Sequence, residues 1–553
     1  MVKYKNPVLI ALTATFLLFS FYPTIYEISH SKSLYSKDRR FILEHNYYWP
    51  DFNLYLSKVR QGYEERWLAV EKYTSEPHTG SLIQIFYLYL GKIGSILNIS
   101  PNYAYQLGRI ILSPLLLLII LLLVTHYFRS PLWQILAFTI TLVSGSFPRL
   151  YYTSGQLQIG RYMEWWSNID SLQRISFIPH ILFGQVISFY LLYKLTILKR
   201  APLAELQGVP LTKYKFVLYV LLTNAIGLVF PPSLITLIGV LFFLNLIEIV
   251  KTKKFLLNNS LYIILFSFPS LFYLAVATKT VPWSALVEFH RDHPMMVPLD
   301  QYLLGTGPII IPGFLGSVLA IIKRRKQFYP LILWTTTTFL FASLFSVVKE
   351  QSPLRFTQTG LFIPLGILGT YLFHELWKLI KIHKILYYSY FLLLASYFFT
   401  NLVIMHSSLN WQLSFISQRL GANIPPVPYP PQTLYPLTAW SDAIDWLNNN
   451  TRKEDVVLAE ITAGNFIPSY SGNFVYFGQS NTVDYNRKLA EVDSFFRGQM
   501  TPSRAEIFLK QGRIKYIFVG PQENEKLGGK KLEEIYSFVK LIYSNKEVGI
   551  YRF

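Results

Sequence analysis

Residues 104–127 read AYQLGRIILSPLLLLIILLLVTHY, twenty-four positions with one cation, Arg109, and no acid. A bilayer's hydrocarbon core is about 30 Å thick and takes about 20 mostly apolar residues to cross as a helix. The stretch therefore predicts a membrane-spanning helix. Comparable runs occur at 7–28, 132–148, 176–198, 214–230, 231–250, 257–278, 307–323, 329–348, 358–380 and 385–405, giving about eleven spans. Residues 82–98 form a twelfth apolar run, but Gln84, Lys92 and two glycines interrupt it.

The composition agrees. Of 553 residues, 52% are hydrophobic and only 15% charged, against about 25% charged in ordinary soluble domains. That excludes a string of soluble domains, a disordered chain, collagen and a coiled coil. With no cysteine, disulfides, thiolate metal sites and a cysteine nucleophile are excluded as well.

The net charge of +20 acquires meaning once it is located. If residue 1 is cytoplasmic and 82–98 does not cross, the inner loops collect eighteen Lys and Arg, including Lys323–Lys326, against three acids, Glu205, Glu248 and Glu375. The outer loops 149–175, 279–306 and 349–357 hold seven bases against six acids. Short cytoplasmic loops are enriched in Lys and Arg. The charge is thus a topology signal, with no nucleic-acid partner implied. The expectation is a multi-pass protein of the inner cell membrane, with a cytoplasmic amino end and an extracytoplasmic carboxyl end. The first apolar run follows Lys3 and Lys5 but ends in Ile25, Tyr26, Glu27 and Ile28. Without small residues for cleavage there, it reads as a retained anchor.

Two domains are expected. Residues 1–405 form the transmembrane domain, including a long outer loop at 29–103, and residues 406–553 form an extracytoplasmic α/β domain. Within the loop, Ile83, Phe86, Leu90, Ile93 and Leu97 fall at helical spacing. This describes a helix lying in the membrane interface or packed on the bundle. In the tail, a helix through Leu437, Trp440, Ile444 and Leu447 precedes strand-like runs at 456–458, 474–477, 516–519 and 548–551. Helical stretches near 486–498, 501–511 and 531–538 lie between them, the alternation of an α/β layer structure. Pro425–Pro431 reads as a stiff linker.

In a spanning protein, ionisable groups outside the apolar core or at helix ends are the first functional candidates. The leading one is Asp51 in YYWPDFNLYLSKVRQGYEERW, soon after the first span and among Tyr47, Tyr48, Trp49, Phe52 and Tyr55. A carboxylate that loses hydration among aromatics gains affinity for a proton, which suits a general base. The competing reading is a helix N-cap. Glu64 and Glu65, beside Arg60 and Arg66, read as a solvated helical face. Glu76 and His78 in TSEPHTG occupy a turn-rich strip beside Pro77 and Gly80. They could touch a sugar or simply make a turn, and Glu76 ranks second as base.

An amino-terminal span, a long outer loop carrying the early acid Asp51, the stretch SEPHTGSLIQIFYLYLGKIG, a polytopic bundle and a soluble outer domain together resemble the GT-C superfamily of membrane glycosyltransferases. More narrowly, the chain resembles its mannosyltransferase and aminoarabinose-transferase branches. Asp51 is followed by Phe52 and Asn53, so the paired acids often found in that motif are absent. The resemblance implies a polyprenyl-phosphate-linked sugar as donor, membrane lipid as surroundings, and an inverting transfer in which an outer carboxylate deprotonates the acceptor hydroxyl. The acceptor would be an envelope lipid, glycan or protein. Such chemistry needs a base, cations for the leaving phosphate and a dry site.

Cations on the outer side stand against the charge rule and are candidates for the phosphate. Arg355 lies in KEQSPLRFTQTG just before a span, and Arg291 lies in EFHRDHP between His290 and Asp292. Arg161 and Arg174 flank Glu164 in GRYMEWWSNIDSLQRISF. Arginine grips phosphate oxygens with a two-pronged fork; the alternative for each is a local ion pair. His180 follows Pro179 at the outer end of a span, as a site group or a satisfied helix-end histidine. His290, Asp292 and His293 have metal-ligand types, but their loop spacing assigns no metal. No nucleotide-binding glycine loop occurs, which disfavours a nucleotide-sugar donor. The sequence names no cofactor. Two other functions fit the composition: a transporter or flippase for a lipid-linked or hydrophobic solute, and a non-catalytic scaffold with a partner-binding outer domain. A transporter would be expected to show paired broken helices, and Pro231-Pro232 has no counterpart.

Overall fold

The computed structural model describes residues 6–45, 49–153, 155–197, 212–253, 259–348, 352–380, 384–421 and 435–553. Tyr47, Tyr48, the basic residues Lys3, Lys5, Lys199, Arg200, Lys254 and Lys381, Glu205, and the Pro425–Pro431 stretch lie outside the described residues. In chain order the first helices are α1 (Pro7–His30), α2 (Trp49–Tyr63), α3 (Ile85–Ile96), α4 (Pro101–Tyr127), α5 (Pro131–Val143), α6 (Pro179–Leu192) and α7 (Lys213–Val229). Next come α8 (Pro231–Thr252), α9 (Asn259–Ala277), α10 (Ser284–Asp292), α11 (Leu299–Thr306), α12 (Ile310–Ile322), α13 (Tyr329–Leu344), α14 (Phe362–Ile380) and α15 (Lys384–Gly421). The tail contributes α16 (Thr438–Asn450), α17 (Ile461–Tyr470), α18 (Tyr485–Phe496), α19 (Pro502–Gln511), α20 (Pro521–Leu527) and α21 (Leu532–Ile535).

Each of the eleven apolar runs coincides with a helix: α1, α4 to α9 and α12 to α15. By length and hydropathy, seven segments among the described residues could cross a membrane: Pro7–Lys37, Pro101–Tyr127, Pro231–Thr252, Ser260–Ala277, Leu299–Ile322, Lys326–Val347 and Tyr387–Gly421. The run at 132–148 becomes the 13-residue α5, about 20 Å long at 1.5 Å per residue. Pro231 and Pro232 open α8, where their missing amide hydrogens cost no helical bond.

The chain divides into two compact units. The first comprises residues 1–23, 109–273 and 294–413. Its core gathers Ile140, Val143, Tyr302, Leu365, Phe373 and Tyr397 from α5, α11, α14 and α15. The end of α12 and the last turns of α14 meet where Lys323 pairs with Glu375, whose other oxygen lies 2.6 Å from Lys378. These three charges share the same end of the helices, as the charge distribution expects. Between α5 and α6, Pro148–Thr153 (β1) and Gln156–Arg161 (β2) form an antiparallel hairpin.

The second unit comprises residues 24–108, 274–293 and 414–553. Its sheet has the order β4-β3-β5-β7-β6, from Phe474–Val475 (β4), Val456–Leu458 (β3), Ile514–Val519 (β5), Gly549–Arg552 (β7) and Lys540–Ser544 (β6). β4, β3 and β5 are parallel, while β7 and β6 are antiparallel additions. Strand side chains alternate between faces, and two cores follow from that. Val456, Leu458, Ile517 and Val519 pack with Val492, Phe495, Leu509 and Leu532 of α18, α19 and α21. Val457, Tyr516 and Phe518 pack on the other side with Trp440, Ile444 and Phe466 of α16 and α17.

That second core also takes in Ile42, Leu54 and Tyr73, so part of the segment between α1 and α4 folds with the tail. Asn53 Nδ2 donates to Asn465 Oδ1 at 2.8 Å, and Ser469 Oγ donates to the Asn53 carbonyl at 2.6 Å. The α2–α3 crossing depends on two glycines. A Cβ on Gly62 would stand 1.8 Å from the Leu88 carbonyl oxygen, and one on Gly91 would stand 1.8 Å from that of Val59. Ile85, Leu88 and Gly91 are the buried face of α3, whereas Ile93 and Leu97, expected on its apolar face, are exposed.

Candidate functional site

α2 begins at Trp49, two residues before Asp51. Asp51 is therefore the third helical residue rather than the cap, in the first turn where an acid complements the partial positive charge of the helix start. Its side chain is half-buried. Phe52, next to it, is buried edge-on against Tyr105 with ring centres 5.0 Å apart. The α17 contacts of Asn53 hold this turn in place. A carboxylate on a turn held in this way is the group that could accept a proton from a bound hydroxyl.

The second candidate base is committed elsewhere. Glu76 Oε1 lies 2.6 Å from the ammonium of Lys488, which is fully buried, and Thr74 Oγ1 also bonds Glu76. Lys488 reaches Thr74 Oγ1 at 3.1 Å and sits 4.6 Å from the Tyr476 ring centre. Burial pulls the Lys488 pKa down while Glu76 holds it up. Glu76 therefore serves as the counter-ion of an interior lysine. His78 is satisfied on both nitrogens: Nε2 accepts from the Glu71 amide at 2.9 Å, and Nδ1 faces the Glu76 carbonyl at 2.8 Å. That pattern belongs to a neutral imidazole with its proton on Nδ1. Burial lowers its pKa accordingly.

Glu64 and Glu65 lie beyond the end of α2 instead of on its solvated face. Glu64 pairs with Arg60 at 2.7 Å, and both side chains are largely covered. Several buried charges of this unit lie outside the expected set. Lys58 pairs with Glu71 at 3.2 Å and donates to the Val70 carbonyl at 2.8 Å. Lys72 is bonded to the Gly472 carbonyl, and burial lowers its pKa to about 7. Glu44 meets Arg419 at 2.7 Å, and Glu27 bonds both Arg419 and Tyr435. Burial raises the Glu44 pKa against the pull of Arg419. These groups are legible only in three dimensions, since Glu44 and Arg419 are 375 positions apart.

In the first unit the arginines separate by partner. Arg161 pairs with buried Asp170, not with the exposed Glu164, and donates to Ser408 Oγ at 2.9 Å. Its pKa is lowered to about 10, chiefly by burial. Arg174 is also buried. It donates to the carbonyls of Thr141 and Leu142, both at 2.8 Å, and lies 4.0 Å from the Phe362 ring centre. A cation there satisfies the last carbonyls of α5 and suits that end of the helix.

Arg355 differs. It is half-buried in a 3₁₀ turn, Pro353–Gln358, and has no carboxylate partner among the described residues. It stands close enough to His180, at the start of α6, for their charges to interact. The turn is pinned on several sides. Trp166 Nε1 donates to Thr357 Oγ1 at 2.8 Å, Asn168 Nδ2 to the Thr357 carbonyl at 3.1 Å, and Gln185 Nε2 to the Gln358 carbonyl at 2.7 Å. The structure thus brings an expected anion contact, Arg355, and an expected site residue, His180, onto a fixed frame. In the second unit, Arg291 is exposed near the end of α10, and His290 of the same turn is partly buried.

No protein-family model matches the sequence, and no curated protein matches it. Among solved structures the chain is similar to the oligosaccharyltransferase of Archaeoglobus fulgidus in its apo form, at 13% identity and a TM-score of 0.51, covering 94% of this chain and 70% of that one. It is similar to ArnT from Cupriavidus metallidurans bound to undecaprenyl phosphate, at 11% identity and a TM-score of 0.49, covering 98% of both chains. It is also similar to the arabinofuranosyltransferase AftD from Mycobacteria, at 12% identity and a TM-score of 0.47, covering 98% of this chain and 39% of that one. The oligosaccharyltransferase likeness shows the fold: a GT-C-like helical membrane architecture with a carboxyl-terminal α/β region.

Proposed function

We propose that the chain is a membrane glycosyltransferase that moves a hexosyl or pentosyl unit from a polyprenyl-phosphate donor to an envelope lipid, glycan or protein acceptor on the outer face of the membrane. The observation that carries the reading is Arg355, an arginine within electrostatic reach of His180, without a carboxylate partner among the described residues and on a turn held by Trp166, Asn168 and Gln185. Cations of the family fold that already hold acids or carbonyls, such as Arg161 and Arg174, are spent on structure. Arg355 would bind the donor phosphate in the two-pronged geometry of guanidinium and oxyanion. As the sugar–phosphate bond breaks, the bonding pair passes to the phosphate oxygen, and Arg355 stabilises the charge that develops there.

Separately, Asp51 of the second unit, a carboxylate in the first turn of α2, is our candidate for the base that takes the proton of the acceptor hydroxyl in an inverting transfer. Glu76, His78, Glu164, Arg161 and Arg291 play no part in this step. The fold supports the reading as context, and the neighbour bound to undecaprenyl phosphate illustrates the kind of lipid such a donor carries.

The test is transfer in proteoliposomes holding the purified chain, a panel of radiolabelled polyprenyl-phosphate sugars and an envelope-lipid extract as acceptor. Label appearing in an acceptor, with polyprenyl phosphate released in equal amount, is the expected result. Label that crosses the bilayer still attached to its lipid would mark a flippase instead.

A further inference from the structure

A cavity of about 240 Å³ lies wholly within the second unit. Its walls come from the Arg40–Leu43 segment, the start of α4, α16, and Phe466 and Tyr470 of α17. Neither Asp51 nor Glu76 lines it. We infer that this cavity is a saccharide-binding site, separate from the transfer chemistry.

Three features select a neutral polyhydroxy ligand. The walls are aromatic: Phe41, Trp440, Phe466 and Tyr470 line the space, and Tyr103 stands at it 55% exposed, a flat ring still open to the solvent. Pyranose and furanose rings present apolar C–H faces that pack on such rings, and binding pockets combine apolar walls with a few polar groups that fix orientation.

The charged groups at the cavity come as a balanced pair. Arg40 Nη1 lies 2.5 Å from Asp445 Oδ2, and its other nitrogen lies 2.6 Å from Asp442. Each side chain of the Arg40–Asp445 pair keeps more than a third of its surface exposed. Guanidinium donates and carboxylate accepts, which matches hydroxyls that do both. An anionic ligand would meet Asp445, and a cationic one would meet Arg40.

The wall also holds an unmet hydrogen-bonding group. Ser441 lines the cavity and is only 7% exposed, and its hydroxyl has no hydrogen-bond partner among the described residues. Buried hydroxyls are normally paired. Asn102, also in the wall, makes only long bonds, 3.3 Å to the Leu43 carbonyl and 3.4 Å to Tyr470 Oη. A sugar hydroxyl would complete both. At about 240 Å³ the space is somewhat smaller than the ordinary small-ligand pocket of about 300–1,000 Å³, which suits a single sugar ring.

The inference rests on the lining; only its use, to hold a glycan portion of the acceptor, rests on the function proposed above. The test measures binding without turnover. The full chain in nanodiscs is titrated by saturation-transfer NMR with three defined probes: maltose, α-1,6-mannobiose and α-1,5-arabinobiose. At least one should bind. Tyr103→Ala, which empties no core, and Asp445→Asn, which preserves shape, should each weaken that probe by about tenfold, the loss of one well-packed contact, with unchanged melting temperature. Undecaprenyl phosphate, added as a competitor, should leave the sugar signal in place. Absence of binding by all three, binding indifferent to both substitutions, or displacement by undecaprenyl phosphate would each overturn the inference. A chain that transfers sugar but binds no probe would defeat this site alone; one that binds a probe but never transfers would defeat the proposed function alone.

Discussion

Replacing Glu76 with Gln should cost stability rather than chemistry. Lys488 has no exposed side-chain surface, and its ammonium contacts both oxygens of Glu76, at 2.6 and 2.8 Å. Glu76 itself keeps 27% of its side chain exposed. Breaking a buried ion pair by removing one partner costs about 3–5 kcal/mol, because the other charge stays buried and uncompensated. The partial exposure of Glu76 and the remaining Thr74 contact at 3.1 Å put this case at the low end, about 3 kcal/mol. The double variant Glu76→Gln/Lys488→Met removes the stranded charge and should recover most of that loss, a coupling read by a double-mutant cycle. Thermal unfolding of the purified full chain in one detergent, followed by tryptophan fluorescence, measures all three. Sugar transfer by the surviving folded fraction of Glu76→Gln should match the parent. A Glu76→Gln protein that melts normally yet fails to transfer would refute the reasoning and return Glu76 to the role of base.

Three further outcomes are expected. Gly91→Ala places a methyl group 1.8 Å from the Val59 carbonyl oxygen, so it should destabilise by about 1–3 kcal/mol through overpacking, visible as a lowered melting temperature. Glu523 is fully buried, and desolvation raises its carboxyl from 4.5 to about 7. The fold therefore binds this proton more tightly than the unfolded chain does, and its stabilising effect is complete below about pH 4.5 and lost as pH climbs to 7, on the order of 3 kcal/mol in all. Glu523→Gln should flatten the melting-temperature profile across that window. Arg355→Ala should lower transfer more than Arg355→Lys, with Lys still impaired because it lacks the planar fork; equal, parent-like rates for both would remove Arg355 from the site.

What was legible in the sequence follows from which forces are local. The spans could be read because crossing a bilayer demands a long apolar run, and each of the eleven runs is a helix. Four of the tail's helices, α16, α18, α19 and α21, and all four strand runs were readable from period alone, the run at 474–477 shortening to Phe474–Val475 and that at 548–551 shifting to Gly549–Arg552, whereas α17 and α20 were not read. β6 was missed because it is an edge strand with mixed exposure, beginning at Lys540, so no apolar alternation marks it. The β1–β2 hairpin is almost wholly exposed and leaves no burial pattern to detect. The packing face of α3 was not legible because its closest contact is made by Gly91, a residue that hydropathy does not count. Partners escaped for a different reason. Arg161 chose Asp170 over the nearer Glu164, and Lys488 chose Glu76 from 412 positions away. Arg355 and His180 were named from sequence and then found within electrostatic reach of each other, as were Glu76 and His78, which meet through the Glu76 carbonyl.

The central claim is that Asp51 removes the acceptor's proton, and Asp51→Asn tests it most directly. The substitution keeps the side chain's shape in the first turn of α2 but leaves a group that cannot take up a proton. Rates are compared in proteoliposomes with the same labelled polyprenyl-phosphate sugar and acceptor, alongside a melting curve for each protein. A fall in transfer of about 10² to 10⁴, the usual contribution of a general base, with an unchanged melting temperature, is the predicted result. Full transfer activity in a normally folded Asp51→Asn protein would contradict it.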